Sequence, residues 1–401
     1  MRLVDVAKLN MGQSPPSASY NDIGEGLPFY QGKTDFGFIY PVPRKYCNEP
    51  SKIADKGDIL ISVRAPVGPV NIANDKCCIG RGLAAIKASK ADQLFLYFNL
   101  IYQESFIESQ GTGSTFKAIN KSQLENVLIP NIPIPEQRKI AHVLSTVQKA
   151  IEQQDNLIRT TTELKKALMQ KLFTEGTRGE SQKETEIGLV PESWEVVKIN
   201  EIFDIQQGKQ VSKSNRVGNN QKPFLRTINI SWGEIDLTEL DEMHFSTDEE
   251  TKFTLIKEDL LVCEGGDVGR TAIWDYCNKE IYYQNHLHRL RAITNNIIPR
   301  YLLYWMMYIV QETSYVKDAG NRTTIPNISK SRLGNLYMAL PNIQIQKEIT
   351  ETLVGLDRKI IFQNKKKQTL NALFKTLLHE LMTGQRRVHE LEFEDIQLKT
   401  L

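Results

Sequence analysis

Several short stretches of this 401-residue chain carry residue types that could do chemistry, and each lacks part of what that chemistry needs. Gly32-Lys33-Thr34 has the lysine and hydroxyl of a phosphate-cradling loop. That loop also needs a glycine five places before its second glycine; Leu27 stands there and Gly26 is one place off. Gly265-Gly266-Asp267-Val268-Gly269 does not keep the spacing of a dinucleotide-binding turn and reads as an ordinary turn. His286 and His288 could seat a metal, but no third ligand lies at a helpful spacing, so they read as a strand-end pair. Ser14-Pro15-Pro16-Ser17 lacks the Asn/Asp and Tyr/Phe flanks of an amino-methyltransferase signature, and there is no carboxylate–lysine cluster for metal-dependent nuclease chemistry. The five cysteines, Cys47, Cys77, Cys78, Cys263 and Cys277, form no C-x-x-C pair and are odd in number, against a disulfide framework and a structural zinc site.

What remains is chemistry of contact. The loop Gly111–Lys117 holds Thr112, Ser114, Thr115 and Lys117, and a matching loop holds Asn321, Arg322, Thr323 and Thr324. Small hydroxyl side chains and backbone N–H groups approach phosphates closely, while Arg and Asn reach base edges. Gln13, Ser14, Lys33, Arg64 and Arg81 in the first half, and Lys209, Gln210, Arg226, Arg270, Gln284 and Asn285 in the second, lie in loops between apolar runs, where recognition residues usually sit. The bland reading of each is a turn or a solvated surface residue.

These candidates sit on a frame that is written twice. Gly111–Asn126 (GTGSTFKAINKSQLEN) and Gly320–Asn335 (GNRTTIPNISKSRLGN) are 209 residues apart. At that offset Gly111/Gly320, Thr115/Thr324, Ile119/Ile328, Lys121/Lys330, Ser122/Ser331, Leu124/Leu333 and Asn126/Asn335 are identical. Both copies run through Pro-Asn-Ile into a heptad pattern. The first seam is Ile140, Leu144, Val147, Ile151, Gln154, Ile158, Thr161, Lys165, Leu168, Leu172. The second is Ile349, Leu353, Leu356, Ile360, Gln363, Lys367, Leu370, Phe374, Leu377, Leu381, each 209 residues on. Spacings of four and three alternate, as a coiled-coil seam requires, with apolar ends and a polar middle. Upstream, Gly57–Gly68 resembles Glu258–Gly269, and Leu3, Val6, Leu9 and Gly12 match Ile199, Ile202, Ile205 and Gly208.

The expected fold class is α+β: two duplicated mixed α/β domains separated by two long antiparallel helices, with pseudo-two-fold symmetry. Residues 1–135 form the first mixed domain, with an amphipathic helix near Asp92–Glu108, and 136–175 one helix with Pro135 in its first turn and Gly176 as its stop. Residues 176–193 read as a polar linker, 194–342 as the second domain, 343–384 as the second helix and 385–401 as a tail alternating acidic and apolar residues. A lone helix with an apolar seam is not stable in water, so two per chain satisfy each other.

Composition bounds the class. The chain is 40% hydrophobic and 24% charged, with a net charge of +2 from 50 Lys+Arg and 48 Asp+Glu. That permits nucleic-acid binding through local patches and excludes a general polycationic coat. The most apolar run, Tyr301–Val310, is about half a membrane span, and Met1–Asn10 carries Asp5 and Lys8 and is no signal peptide. A cytoplasmic location without membrane contact is expected.

In this order the parts resemble the specificity subunits of type I restriction–modification systems. The resemblance covers nearly the whole chain and includes Gly12–Ser17 (GQSPPS), Leu172–Glu180 (LFTEGTRGE), Glu184–Val197 (ETEIGLVPESWEVV) and Leu381–Val388 (LMTGQRRV). It implies two target-recognition domains, each reading half of a bipartite double-stranded DNA site. It also implies helices that set the spacing and dock two methyltransferase (M) subunits, with restriction/translocase (R) subunits joining the assembly. S-adenosylmethionine, ATP and magnesium would belong to those partners, and this chain would have no catalytic site. The matched loops differ, Arg322 standing for Gly113 and Pro326 for Lys117. Two readers of different half-sites would show this, and so would drift. The rival readings are a stand-alone DNA-binding regulator, which would bind its site tightly alone, and a non-DNA coiled-coil scaffold, which would show no salt-dependent DNA affinity. If the helices are the ruler, one heptad inserted into both should lengthen the gap between half-sites by roughly three base pairs. Methylation mapping of the insertion variant reads this directly; an unchanged gap with intact half-sites removes the helices from that role.

Overall fold

The computed structural model describes residues 1–112, 117–313 and 327–388. Within them the chain forms two compact units, residues 1–157 with the chain from 363 onward, and 158–362. Each unit therefore holds one mixed domain, part of one long helix and part of the other.

In the first unit a four-stranded antiparallel sheet has the order Ala7–Met11, Leu83–Ala88, Ile59–Ser62, Val70–Ile72. Its central strand Ile59–Ser62 is buried along its whole length because both faces are covered. Ile59 and Ile61 point to one side, into a core with Phe95, Leu96 and Phe98, while Leu60 points to the other, onto Tyr30, Cys77 and Ile79. Period-two alternation thus feeds two cores, and a continuous apolar run is the result. The second layer is a sheet of order Tyr20–Asn21, Lys45–Cys47, Leu27–Tyr30, Cys77–Ile79, Ile53–Ala54, with one parallel pairing, Phe29 to Cys78 and Tyr30 to Ile79.

The second unit repeats this order: Phe203–Gln207, Leu287–Ala292, Leu260–Cys263, Thr271–Ile273. Its second sheet runs Asp241–His244, Gln221–Leu225, Tyr282–Tyr283, with the parallel pairing again in place, Phe224 to Tyr282 and Leu225 to Tyr283. The periphery differs: the second unit adds the helix Thr247–Phe253 and the hairpin Ile230–Ser231/Glu234–Ile235.

The helix expected near Asp92–Glu108 is two helices, Gln93–Tyr102 and Glu104–Ser109, parted at Gln103. Asp92 caps the first, accepting from the Leu94 and Phe95 N–H groups. It is not amphipathic in the simple sense, since every residue from Phe95 to Leu100 is buried. Its counterpart Pro299–Gln311 is buried from Tyr301 through Met307, which accounts for the most apolar run of the sequence. No helix of the described residues is long and apolar enough to cross a membrane. The stretch read as a linker carries an antiparallel hairpin, Gln182–Thr185 with Gly188–Pro191, because Val190 and Trp194 bury themselves in the second unit's core.

The long helices span Ile134–Thr174 and Ile343–Thr383, with Gly176 and Gly384 in the left-handed conformation just beyond their ends. In the first unit Ile140 and Leu144 share a core with Leu377 and Leu381, with Val147 and Phe374 against its edge. In the second, Leu172 packs with Ile349 and Leu353, and Leu168 lies against them. Both pairings are antiparallel. Ile151 is buried, as are the polar seam residues Gln154, Thr161 and Gln363, whereas Ile158, Leu356, Ile360 and Leu370 are half-buried. Charges also bridge the seam: Lys367 pairs with Asp155 in the first unit, and Lys165 with Asp357 at 2.6 Å in the second.

Each long helix is tied to its domain by a glutamine that recurs at the same place in both copies. Gln137 accepts from the Asp92 N–H at 2.8 Å and donates to the Ile132 carbonyl at 2.7 Å. Gln346, at the equivalent position, accepts from Ile298 N–H and donates to the Asn296 and Pro341 carbonyls. Farther along, Gln148 donates to the Tyr97 hydroxyl at 3.1 Å, and at the matching place Tyr304 donates to Asp357 at 2.6 Å. Burial and the Asp357 carboxylate hold the Tyr304 hydroxyl protonated, far above the ordinary phenol range. The repeats therefore share a geometry and differ in charge. Asp357→Ala strands both Lys165 and Tyr304 and should cost about 2 kcal/mol, against about 1 kcal/mol for Gln148→Ala, which strands one hydroxyl. Urea unfolding of the full-length variants measures the difference; equal losses would mean the charged triad adds nothing over the neutral pair.

Candidate nucleic-acid interface

The recognition candidates of the first unit come together at one end of its two sheets. Three backbone contacts enforce this: Gly12 N–H to Leu83 O at 2.9 Å, Gly80 N–H to Tyr30 O at 2.8 Å, and Val63 N–H to Gly82 O at 2.9 Å. They draw the turns after four separate strands into one rim. Gly82 is required there, since a Cβ on it would lie 2.1 Å from the Gln31 carbonyl oxygen. The rim encloses an open cleft of 770 Å³ whose lining includes Ser14, Gln31, Lys33, Thr34, Arg64 and Arg81. Lys33, Arg64 and Arg81 are exposed, and none forms an ion pair among the described residues. Ser14 Oγ accepts from the Arg81 N–H at 3.4 Å, and Gln13 is exposed beside it. Thr112 pairs with Ala118, which also bridges to Arg64, so exposed Thr112 and Lys117 stand next to the same rim. Ser114 and Thr115 lie outside the described residues.

The second unit makes the same strand-end contacts with different side chains. Gly208 N–H bonds Leu287 O, Gln284 N–H bonds Leu225 O, and Glu264 N–H bonds His286 O. By these pairings Gln210 stands at the place of Ser14, Asn285 at Arg81, Gly265 at Arg64, and Thr227–Ile228 in the turn that holds Lys33. All three cations of the first rim are absent from the second. The two arginines nearby are engaged: Arg226 pairs with Asp241 at 3.1 Å, and Arg270 with Asp267 at 2.8 Å and with the Thr227 carbonyl. Gln210 is exposed and Asn285 half-buried.

Two candidates sit in the interior instead. Lys209 is buried, its ammonium bonded to the His244 carbonyl at 2.6 Å and to Glu249 at 2.5 Å, over the Phe245 ring. Lysine's long stem lets a strand-end residue reach back into the domain, which sequence position does not reveal. Gln284 is likewise buried. Asn321, Arg322, Thr323 and Thr324 lie outside the described residues.

Against known proteins, the family described as "Type I restriction modification DNA specificity domain" matches residues 1–159 and 191–372. The chain belongs to this family. The putative type I restriction enzyme MjaX specificity subunit of Methanocaldococcus jannaschii is 51% identical over 169 residues, which is 42% of this chain and 40% of that one. The MjaVIII specificity subunit of the same organism is 31% identical over 313 residues, 75% of this chain and 72% of its own. Among solved structures, the S subunit of a type I restriction–modification system from M. genitalium matches with a TM-score of 0.62 over 95% of both chains at 18% identity, a likeness of fold.

In this specificity subunit, reading the sequence alone passed over Gln31 and Thr34 in the first rim and Glu264 and Thr227 in the second. Their only signal is that they follow strands whose ends converge, and convergence depends on pairing between distant segments. His286 and His288 also part company. His286 is exposed, with Nδ1 3.4 Å from the Glu264 carboxylate, whereas His288 is fully buried with Nε2 3.1 Å from the Ile328 carbonyl. Among the described residues no group of three or more His, Cys, Asp or Glu is placed to hold a metal ion.

Burial pushes the His288 imidazole below its ordinary value, so the folded chain resists protonating it. The unfolded chain regains an imidazole titrating near about 6.5. As pH falls through that value the unfolded state takes up a proton that the folded state refuses, and stability drops. The fall in melting temperature between neutral and mildly acidic pH should therefore be smaller in His288→Gln than in the parent. An identical fall in both would show that His288 is not the titrating group.

Proposed function

We propose that this chain is the DNA sequence-recognition and assembly subunit of a type I restriction–modification complex, each repeated domain reading one half of a bipartite double-stranded site. The observation that carries the reading is the pair of equivalent rims. One presents Lys33, Arg64 and Arg81, without ion pairs among the described residues, around an open cleft; the other replaces all three by Thr227–Ile228, Gly265 and Asn285. Unpaired cations suit phosphate oxygens and guanine edges, and amide and hydroxyl groups suit other bases, so one frame serves two different half-sites.

The long helices then act as spacer and as the docking surface for methyltransferase subunits, with restriction subunits joining the assembly. The methyl donor, ATP and magnesium act on those partners, and this chain contributes no catalytic group. A helix of 41 residues is about 60 Å long, enough to hold two readers over successive turns of a duplex. Ion pairs across the seam and the buried glutamine clamps supply the rigidity that such a spacer needs.

Arg64→Ala combined with Arg81→Ala should weaken DNA binding and reduce the dependence of log affinity on log salt by roughly one unit for each phosphate no longer neutralised. Methylation mapping of the assembled complex should show relaxed sequence in one half-site only. Relaxation of both half-sites equally would refute the assignment of one domain to one half-site, and an unchanged salt dependence would take these arginines off the DNA.

A further inference from the structure

The second rim carries a largely buried carboxylate at a place that is apolar in the first. Glu264 occupies the place of Val63, as two matched contacts show. Val63 N–H bonds Gly82 O as Glu264 N–H bonds His286 O, and Val63 O accepts from Ile119 N–H as Glu264 O accepts from Ile328 N–H. In the first copy that place is apolar and buried, and its neighbour Gly82 is bare backbone. In the second it is a carboxylate with only 15% of its side chain exposed, beside an imidazole that is 59% exposed. The His286 ring is the one side-chain partner that Glu264 has among the described residues. Among those residues neither carboxylate oxygen accepts a hydrogen bond.

A carboxylate next to phosphates is repelled, and partial burial has already stripped some of its water. It is favourable there only if the duplex supplies a donor. Base edges in the major groove offer one kind, the exocyclic amine, N4 of cytosine or N6 of adenine, and Glu is suited to accept from cytosine N4. We propose that Glu264 reads an exocyclic amino group of one base in the second half-site, and that His286 is a positioning residue that holds the carboxylate toward the groove. Glu264 accepts the hydrogen bond from the base, and the His286 ring, 3.4 Å from one carboxylate oxygen, braces the side chain from its exposed side. The exposed Ile228, in the adjoining turn, lies on the same rim without competing for that donor.

This inference rests on the DNA-reading function proposed above, and the test separates the two. Duplexes bound by the full-length chain in its assembled complex are selected from a randomised library, with parent, Glu264→Gln, Glu264→Ala, His286→Ala and Arg81→Ala compared. The parent should demand cytosine or adenine at one position of one half-site, and both Glu264 variants should relax that position roughly ten- to a hundred-fold. His286→Ala, at an exposed side chain, should relax it partially and guards against a Glu264 variant that fails to fold. Replacing the selected base by its analogue lacking the amine, 2-pyrimidinone for cytosine or purine for adenine, names the base. That loss should weaken the parent about ten-fold and leave Glu264→Ala unchanged. If Arg81→Ala alters the other half-site while the Glu264 and His286 variants keep the parental profile, the inference fails and the function stands. If the parent selects no sequence at all, the function fails and the inference with it.

Discussion

Each long helix carries an apolar stripe that it cannot bury by itself, and the antiparallel pairing that buries the two stripes is the constraint on which the remaining structure depends. The pairing is made twice, with Ile140 and Leu144 against Leu377 and Leu381 in one unit, and Leu172 against Ile349 and Leu353 in the other. The same contacts form the floor of each domain core, so Phe98 and Phe374 meet at their edges in one unit as Phe173 meets Tyr301 and Trp305 in the other. Removing the pairing would expose the underside of both domains.

Polar groups give that apolar surface its register. Gln137 and Gln346 satisfy buried backbone groups where each domain meets its helix, and such groups are costly when left unpaired. Lys165 with Asp357, and Lys367 with Asp155, add charge across the seam. Partly buried ion pairs contribute little net stability, yet they penalise slippage, because a one-turn shift leaves each without its partner. The copies have diverged here as well: a neutral Gln148–Tyr97 bond in one is a Lys165–Asp357–Tyr304 triad in the other.

With the domains held, variation is free to concentrate at the strand ends. The backbone contacts that shape the rims are the same in both copies, while the side chains placed on them change: Lys33, Arg64 and Arg81 give way to Thr227–Ile228, Gly265 and Asn285, and Val63 to Glu264. Backbone hydrogen bonds do not depend on side-chain type, so a rim can change its chemistry without changing its frame.

The repeat, its offset of 209 residues, the two seams and the absence of a complete catalytic motif were legible in the sequence because each is a one-dimensional pattern: identity at fixed separation, apolar residues every three and four places, or ligands at set spacing. Those patterns were enough for the α+β duplicated fold, while the family came from the resemblance of short strings such as Gly12–Ser17 and Leu381–Val388. They did not reveal that the helix after Asp92 breaks at Gln103, nor that the polar stretch after Gly176 folds back as a hairpin on Trp194. Nor could they sort the recognition candidates. Gln13 and Lys209 occupy equivalent places after equivalent strands, yet one faces solvent while the other turns inward to Glu249. Lys33, Arg64 and Arg81 share a cleft only because three strands distant in sequence end together and Gly82 lets them approach. Which polar side chains meet is set by cross-strand pairing and by the partners available inside the domain, and both exist only once the tertiary structure has formed.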